Sequence, residues 1–167
     1  MDFKKVYIEF SVQLLEATDS ELWSLKYKLD EDGMSCRVLR GRKMHTISDL
    51  FDEFAAVLQF SYYFGHNWNA FDECLSEMQY FPFGHGIVLL ISRADEILSQ
   101  EPESLSIFFQ ILKDASDTYA RPIERGEWWD RPAIPFHVVF HTQPGVGQQF
   151  VNTWRDAGLK IVPCSAD

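Results

Sequence analysis

The sequence predicts an α/β fold, with a small, mainly parallel sheet packed by helices. Three observations predict it. Ile87 to Ser92 (IVLLIS) and Phe136 to Phe140 (FHVVF) are short, largely apolar runs, the pattern of strands covered on both faces. Leu50, Phe51, Phe54, Val57 and Leu58 recur at helical spacing, and so do Leu105, Phe108, Phe109, Leu112, Ala115 and Tyr119. Along the chain the segments run strand, helix, helix, strand, helix, strand, an alternation that builds parallel sheets.

Each element has its own signal. Lys5 to Leu14 (KVYIEFSVQL) alternates in part and reads as a strand. Leu22 to Leu29 alternates better, DEDG at 30–33 reads as a turn, and Ser35 to Leu39 as a returning strand. Arg40-Gly41-Arg42 is a second tight turn. Ser48 suits an N-cap with Asp49 in the first turn behind it, so a helix is expected over 49–60. Gly65-His66-Asn67 breaks the chain, and Asn67 can cap another helix running to about Met78. Pro102 is well placed near the start of the next helix. Arg121 to Pro135, with three prolines and Trp128-Trp129, reads as a loop. Gln148 to Ala157 reads as a last helix stopped at Gly158. The expected organisation is an N-terminal β arm or extension over 1–34, a central α/β domain over 35–142, and a C-terminal helix and tail over 143–167 packed on it.

Composition bounds the function. The chain has 167 residues, 46% hydrophobic and 24% charged. A chain of this length buries roughly 70% of its unfolded surface without staples. Three widely spaced cysteines, Cys36, Cys74 and Cys164, do not form a disulfide framework and fit a reducing compartment. No signal peptide or membrane span is read, so a cytoplasmic location is expected, with no membrane partner. The net charge is −10, and it is unevenly spread. Between Met44 and Leu112 ten acids face a single base, Arg93, leaving −9 there. Direct nucleic-acid binding is disfavoured, because phosphates call for clusters of Lys and Arg. A basic protein partner fits such a field better.

The segment 62–78 joins rings to acids. Phe71, Cys74, Leu75 and Met78 share the buried stripe of the helix, while Asn69, Asp72, Glu73 and Ser76 share the opposite face. Solvent exposure alone would account for that polar face. Tyr62, Tyr63 and Phe64 before the helix, and Trp68 in its first turn, are more rings than one core position needs. Tyr and Trp rimmed by charge are what binding hot spots use.

These residues resemble a known family. Tyr63-Phe64-Gly65-His66-Asn67-Trp68-Asn69-Ala70-Phe71 with Glu73-Cys74-Leu75 is similar to the signature of the barstar family, intracellular inhibitors of secreted ribonucleases. Val38-Leu39-Arg40-Gly41 and Thr46-Ile47-Ser48-Asp49-Leu50 resemble the family's first strand, turn and helix start. Gln110 to Ala115 with the strand at Phe136 extends the likeness to about Thr142. The resemblance implies a barstar-like fold, carrying here an extra N-terminal strand arm and a C-terminal helix. It implies that the helix and its preceding loop enter the active site of a basic ribonuclease or nuclease toxin, carboxylates standing where RNA phosphates lie. On this chain the implied contacts are Tyr63 with Tyr62 beside it, Gly65, Asn67, Glu73 where the family carries aspartate, and Asp114, and Trp68 joins them on its place in the first helical turn. Asn69 stands at an acidic position and Asp72 at a bulky aromatic one. One charge is lost and another gained, which implies a target different from barstar's own. A monomer forming a 1:1 complex is expected, without metal or cofactor.

The sequence leaves room for other chemistry. The acidic face would also suit an immunity or interaction module for a toxin that is not a ribonuclease. Cys74 with His66 or His85 could form a thiol nucleophile, but Cys74 lies on the apolar stripe in an acidic segment, where thiolates are disfavoured. His137 and His141 would share a strand face about 13 Å apart, too far for one ion. Trp128-Trp129 could form a second contact patch, though pinning the loop to the core is the better expectation.

Overall fold

A computed structural model of the chain describes residues 2–78 and 81–164. The last three residues of the expected C-terminal tail lie outside them. Five strands form one all-parallel sheet: β1 (Val12–Glu16), β2 (Ser35–Arg40), β3 (Ile87–Ser92), β4 (Phe136–Thr142) and β5 (Ile161–Cys164), in the order β2-β3-β4-β1-β5. Five helices connect or flank them: α1 (Asp19–Glu31), α2 (Ile47–Leu58), α3 (Trp68–Ser76), α4 (Leu105–Tyr119) and α5 (Gly147–Asp156). Pairing runs from Ser35↔Ile87 to Arg40↔Ser92 between β2 and β3, and from Ile87↔Phe136 to Ser92↔His141 between β3 and β4. Ile87, Leu89 and Ile91 join the cluster under α2 to α5, while Val88 and Leu90 join the cluster under α1. The unbroken apolar run is therefore a central strand buried on both faces, as its sequence predicts.

Residues 22–29 form no strand and 30–33 no hairpin. Residues 22–31 belong to α1, Asp32 and Gly33 close it, and β2 pairs β3 in parallel instead of returning on 22–29. Thr18 caps α1: its hydroxyl accepts from Glu21 N while the Glu21 carboxylate accepts from Thr18 N, a capping box. Leu22, Leu25 and Leu29 turn inward, and Trp23 and Tyr27 stay exposed. Gly33, at φ +80°, ends the helix in the left-handed region that glycine adopts without strain.

The first strand also differs from its expected bounds. It spans Val12–Glu16, between β4 and β5, and residues 2–11 run irregularly. Phe3 and Tyr7 pack edge-on against His137, whose Nε2 donates to Lys5 O. Helix α2 is capped by Thr46, not Ser48: Thr46 and Asp49 exchange side-chain to backbone bonds at 3.2 Å each. Strand β5 has no counterpart in the sequence reading. It is four residues long and contains Pro163, tolerated because β5 is an edge strand.

Candidate protein-docking face

Helix α3 is short and held at both ends. Asn67 Oδ1 accepts from Ala70 N at 3.0 Å, and Asn67 Nδ2 donates to Gly65 O at 3.1 Å, which folds the loop onto the helix start. A Cβ on Gly65 would come within 2.9 Å of Asn67 Nδ2, so the fold of this loop favours glycine. At the other end the Tyr119 hydroxyl, from the last residue of α4, donates to Leu75 O and accepts from Met78 N. Burial pushes that hydroxyl's pKa up to about 12, so it stays protonated and able to donate. Phe71 and Leu75 are fully buried between these anchors, with Phe71 against Phe51, Phe54 and Phe108.

The candidate residues separate by exposure. Tyr62 is 99% and Tyr63 74% exposed, their rings edge-to-face 5.3 Å apart. Gly65, Asn67, Asn69 and Glu73 are exposed beside them. Trp68 leans inward, half-buried, with its ring 5.0 Å from Phe51. Asp72 is half-buried and accepts weakly from Ser76 Oγ at 3.5 Å. Burial raises its pKa, and the nearby Asp114 raises it further. Asp114 is half-buried on α4 and accepts from Gln110 Nε2 at 2.8 Å.

Two neighbours were not read as site residues. Arg37, on β2, and Glu77, just past α3, line a groove of about 350 Å³ with Tyr63, Phe64, Glu73 and Phe81. The Arg37 guanidinium lies 4.8 Å over the Phe81 ring. Glu77 continues the acidic run of the helix and was legible. Arg37 was not, because nothing local tells that its strand lies beside α3.

The alternative chemistries find other arrangements. Burial raises the Cys74 thiol above its usual range, and Glu73 and Glu77 raise it further, which opposes a thiolate. His66 faces Asp52 at 3.6 Å, and His85 Nδ1 bonds Asp32 O, so each ring is paired with a group other than the thiol. His141 Nε2 donates to Ala17 O. Among the described residues no group of three His, Cys, Asp or Glu is placed to hold a metal, and no helix is long and apolar enough to cross a membrane.

The 121–135 loop does not rest on its tryptophans. Asp130 accepts from the backbone amides of Arg125 and Gly126. Arg131 donates to the carbonyls of Thr118, Tyr119, Arg121 and Pro132, its guanidinium 5.2 Å from the Tyr119 ring centre. These two charged side chains hold the loop, and Trp128 stands 91% exposed.

Comparisons with known proteins agree with this architecture. Residues 34–141 match the family model Barstar (barnase inhibitor), which spans β2 to β4 and includes α3. No curated protein matches the chain. Among solved structures, a chain of "Structure of Drosophila ORC bound to GC-rich DNA and Cdc6" is similar at 12% identity and a TM-score of 0.50. A chain of "Structure of Drosophila ORC bound to AT-rich DNA and Cdc6" is similar at 11% and 0.49. Each match covers 94% of this chain and 49% of the other, so this chain spans about half the length of those proteins. At such identity the first likeness concerns the fold alone. The match over most of the chain, with a capped α3 at its centre, places this protein in the barstar family, whose members are ribonuclease inhibitors.

Proposed function

We propose that the protein inhibits a basic ribonuclease or nuclease toxin by seating α3 and the 62–67 loop in its active site. Tyr63 and Glu73 carry the proposal. A ring and a carboxylate stand exposed on one short helix and its lead-in loop, while Asn67 and Tyr119 fix both ends of that helix. A face fixed before binding loses little entropy on docking. The surrounding acids suit a cleft that binds RNA phosphates through Arg, Lys and His. The protein acts as a monomer in a 1:1 complex and performs no chemistry of its own. Asn69 and Asp72 change the charge pattern, so the preferred target differs from barnase.

The test is inhibition of RNA cleavage by barnase and by small basic ribonucleases from the source organism. Stoichiometric inhibition is expected for at least one of them. Glu73→Ala should weaken that complex tenfold or more, on the order of 2 kcal/mol. Failure to inhibit any of these enzymes overturns the proposal. Unchanged binding by folded Glu73→Ala overturns the central place given to Glu73.

A further inference from the structure

We propose that the Trp128-Trp129 loop is a second arm of the same docking face, its indoles receiving cationic side chains of the partner that α3 engages; this rests on the ribonuclease-inhibitor proposal. An indole left almost wholly in water is costly, and exposed apolar groups of this size mark binding surfaces. Trp128 is 91% exposed and meets Trp129 edge-to-face at 5.5 Å. The loop itself is held in place without them: Asp130 gathers the amides of Arg125 and Gly126, Arg131 gathers four carbonyls, and Ile123 and Arg131 pair as a short bridge. Rings on a fixed loop bind with little loss of freedom, like Tyr62 and Tyr63 on theirs.

Position selects the occupant. The Tyr119 hydroxyl ties down the carboxyl end of α3, beside Glu77, and its ring lies under the Arg131 guanidinium. Trp128 is three residues from Arg131, which a chain spans in at most about 11 Å. An ordinary interface buries about 800 Å² per partner, a patch roughly 30 Å across, enough to cover α3 and this loop together. The other exposed aromatic pair, Trp23 and Tyr27, lies on α1 across the sheet and cannot share that patch with α3. Charge points the same way. Within the loop Glu124, Glu127 and Asp130 balance Arg121, Arg125 and Arg131, so the attraction for a cationic partner comes from the acidic segment around α3, with Glu77 beside the Tyr119 anchor, and tryptophan is the strongest aromatic acceptor of Lys and Arg cations. A nuclease surface rich in Lys and Arg meets both needs, whereas an anionic membrane would be repelled by the chain's net charge of −10.

The experiment measures Kd for the full chain against barnase and the same panel of basic ribonucleases, using wild type, Trp128→Ala, Trp128→Phe and Glu73→Ala. Trp128→Ala should raise Kd at least tenfold without moving the thermal midpoint, since the ring packs on almost nothing, and Trp128→Phe should recover part of the loss. If Trp128→Ala binds like wild type while Glu73→Ala is weakened, the second arm is refuted and the α3 proposal stands. If Trp128→Ala is weakened and Glu73→Ala is not, the loop stays and the α3 assignment falls. Wild type that binds no enzyme of the panel overturns both.

Discussion

Glu53 and Asp72 show two opposite uses of a carboxylate. Glu53, on α2, is 5% exposed, and it accepts from Arg40 N, Nε and Nη2 at the open edge of β2. Burial pushes its pKa up, but the Arg40 bonds outweigh this and hold it below the usual carboxylate range. A depressed folded value stabilises above the unfolded pKa, and that stability is lost as pH falls through the folded value. Glu53→Ala should therefore cost about 2 kcal/mol at neutral pH, and much less at pH 3, as urea midpoints at the two pH values would show. Asp72 has the reverse sign. Burial and Asp114 raise its folded pKa, so its ionised form strains the fold once pH exceeds the unfolded value. Asp72→Asn should stabilise the fold slightly at neutral pH, by less than about 0.5 kcal/mol, raising the melting midpoint, and should weaken a basic partner's binding. A midpoint that falls instead would mean the charge is satisfied internally and is not offered to a partner.

At the scale of elements, α3 depends on Tyr119 more than on its own length. Nine residues make a marginal helix in isolation, so its ends must be fixed from outside. Tyr119→Phe keeps the buried ring but leaves Leu75 O and Met78 N without the hydroxyl. It should cost about 1–3 kcal/mol of stability and speed dissociation of the complex more than it slows association. An unchanged off-rate would show that docking does not need a fixed α3. The amino end of the helix was legible, because an Asn before an amphipathic turn states its capping role locally. The Tyr119 anchor was not, because residues 41 and 44 positions apart must meet in space. The same divide explains α1. Leu22, Leu25 and Leu29 fit a helix stripe, yet Leu22, Ser24, Lys26 and Lys28 alternate with Trp23, Leu25, Tyr27 and Leu29 as a strand would. Thr18 and Glu21 decide between them as a capping box, a signal that the local alternation masks in the sequence. Trp128 and Trp129 were expected inside on the strength of their size, and the hold exerted by Asp130 and Arg131 removes that need.

For the whole molecule the question is how −9 charges confined to residues 44–112 act once the chain is folded. The fold tempers the field locally. β2 brings Arg37 to the groove beside Glu73 and Glu77, and Arg40 pairs with Glu53. Nor do all the acids remain free. Glu101 accepts from Ile47 N at the start of α2, so it serves the helix as well as the field. Glu103 is exposed and better suited to report on the field alone. Charges outside the contact act over about one Debye length, roughly 10 Å at 0.1 M salt. They speed encounter with a basic enzyme and have little hold on the complex once formed. The association rate with an inhibited ribonuclease should therefore fall steeply between about 0.02 and 0.5 M salt, while dissociation changes little. Glu103→Lys should slow association about two- to fivefold at low salt and leave dissociation and the melting midpoint unchanged. The same substitution at Glu101 would confound the two roles by loosening α2. Stopped-flow mixing with the enzyme reads both rates. A rate constant flat across that range of salt would mean that the acidic segment steers nothing, and that contact at Tyr63 and Glu73 alone accounts for binding.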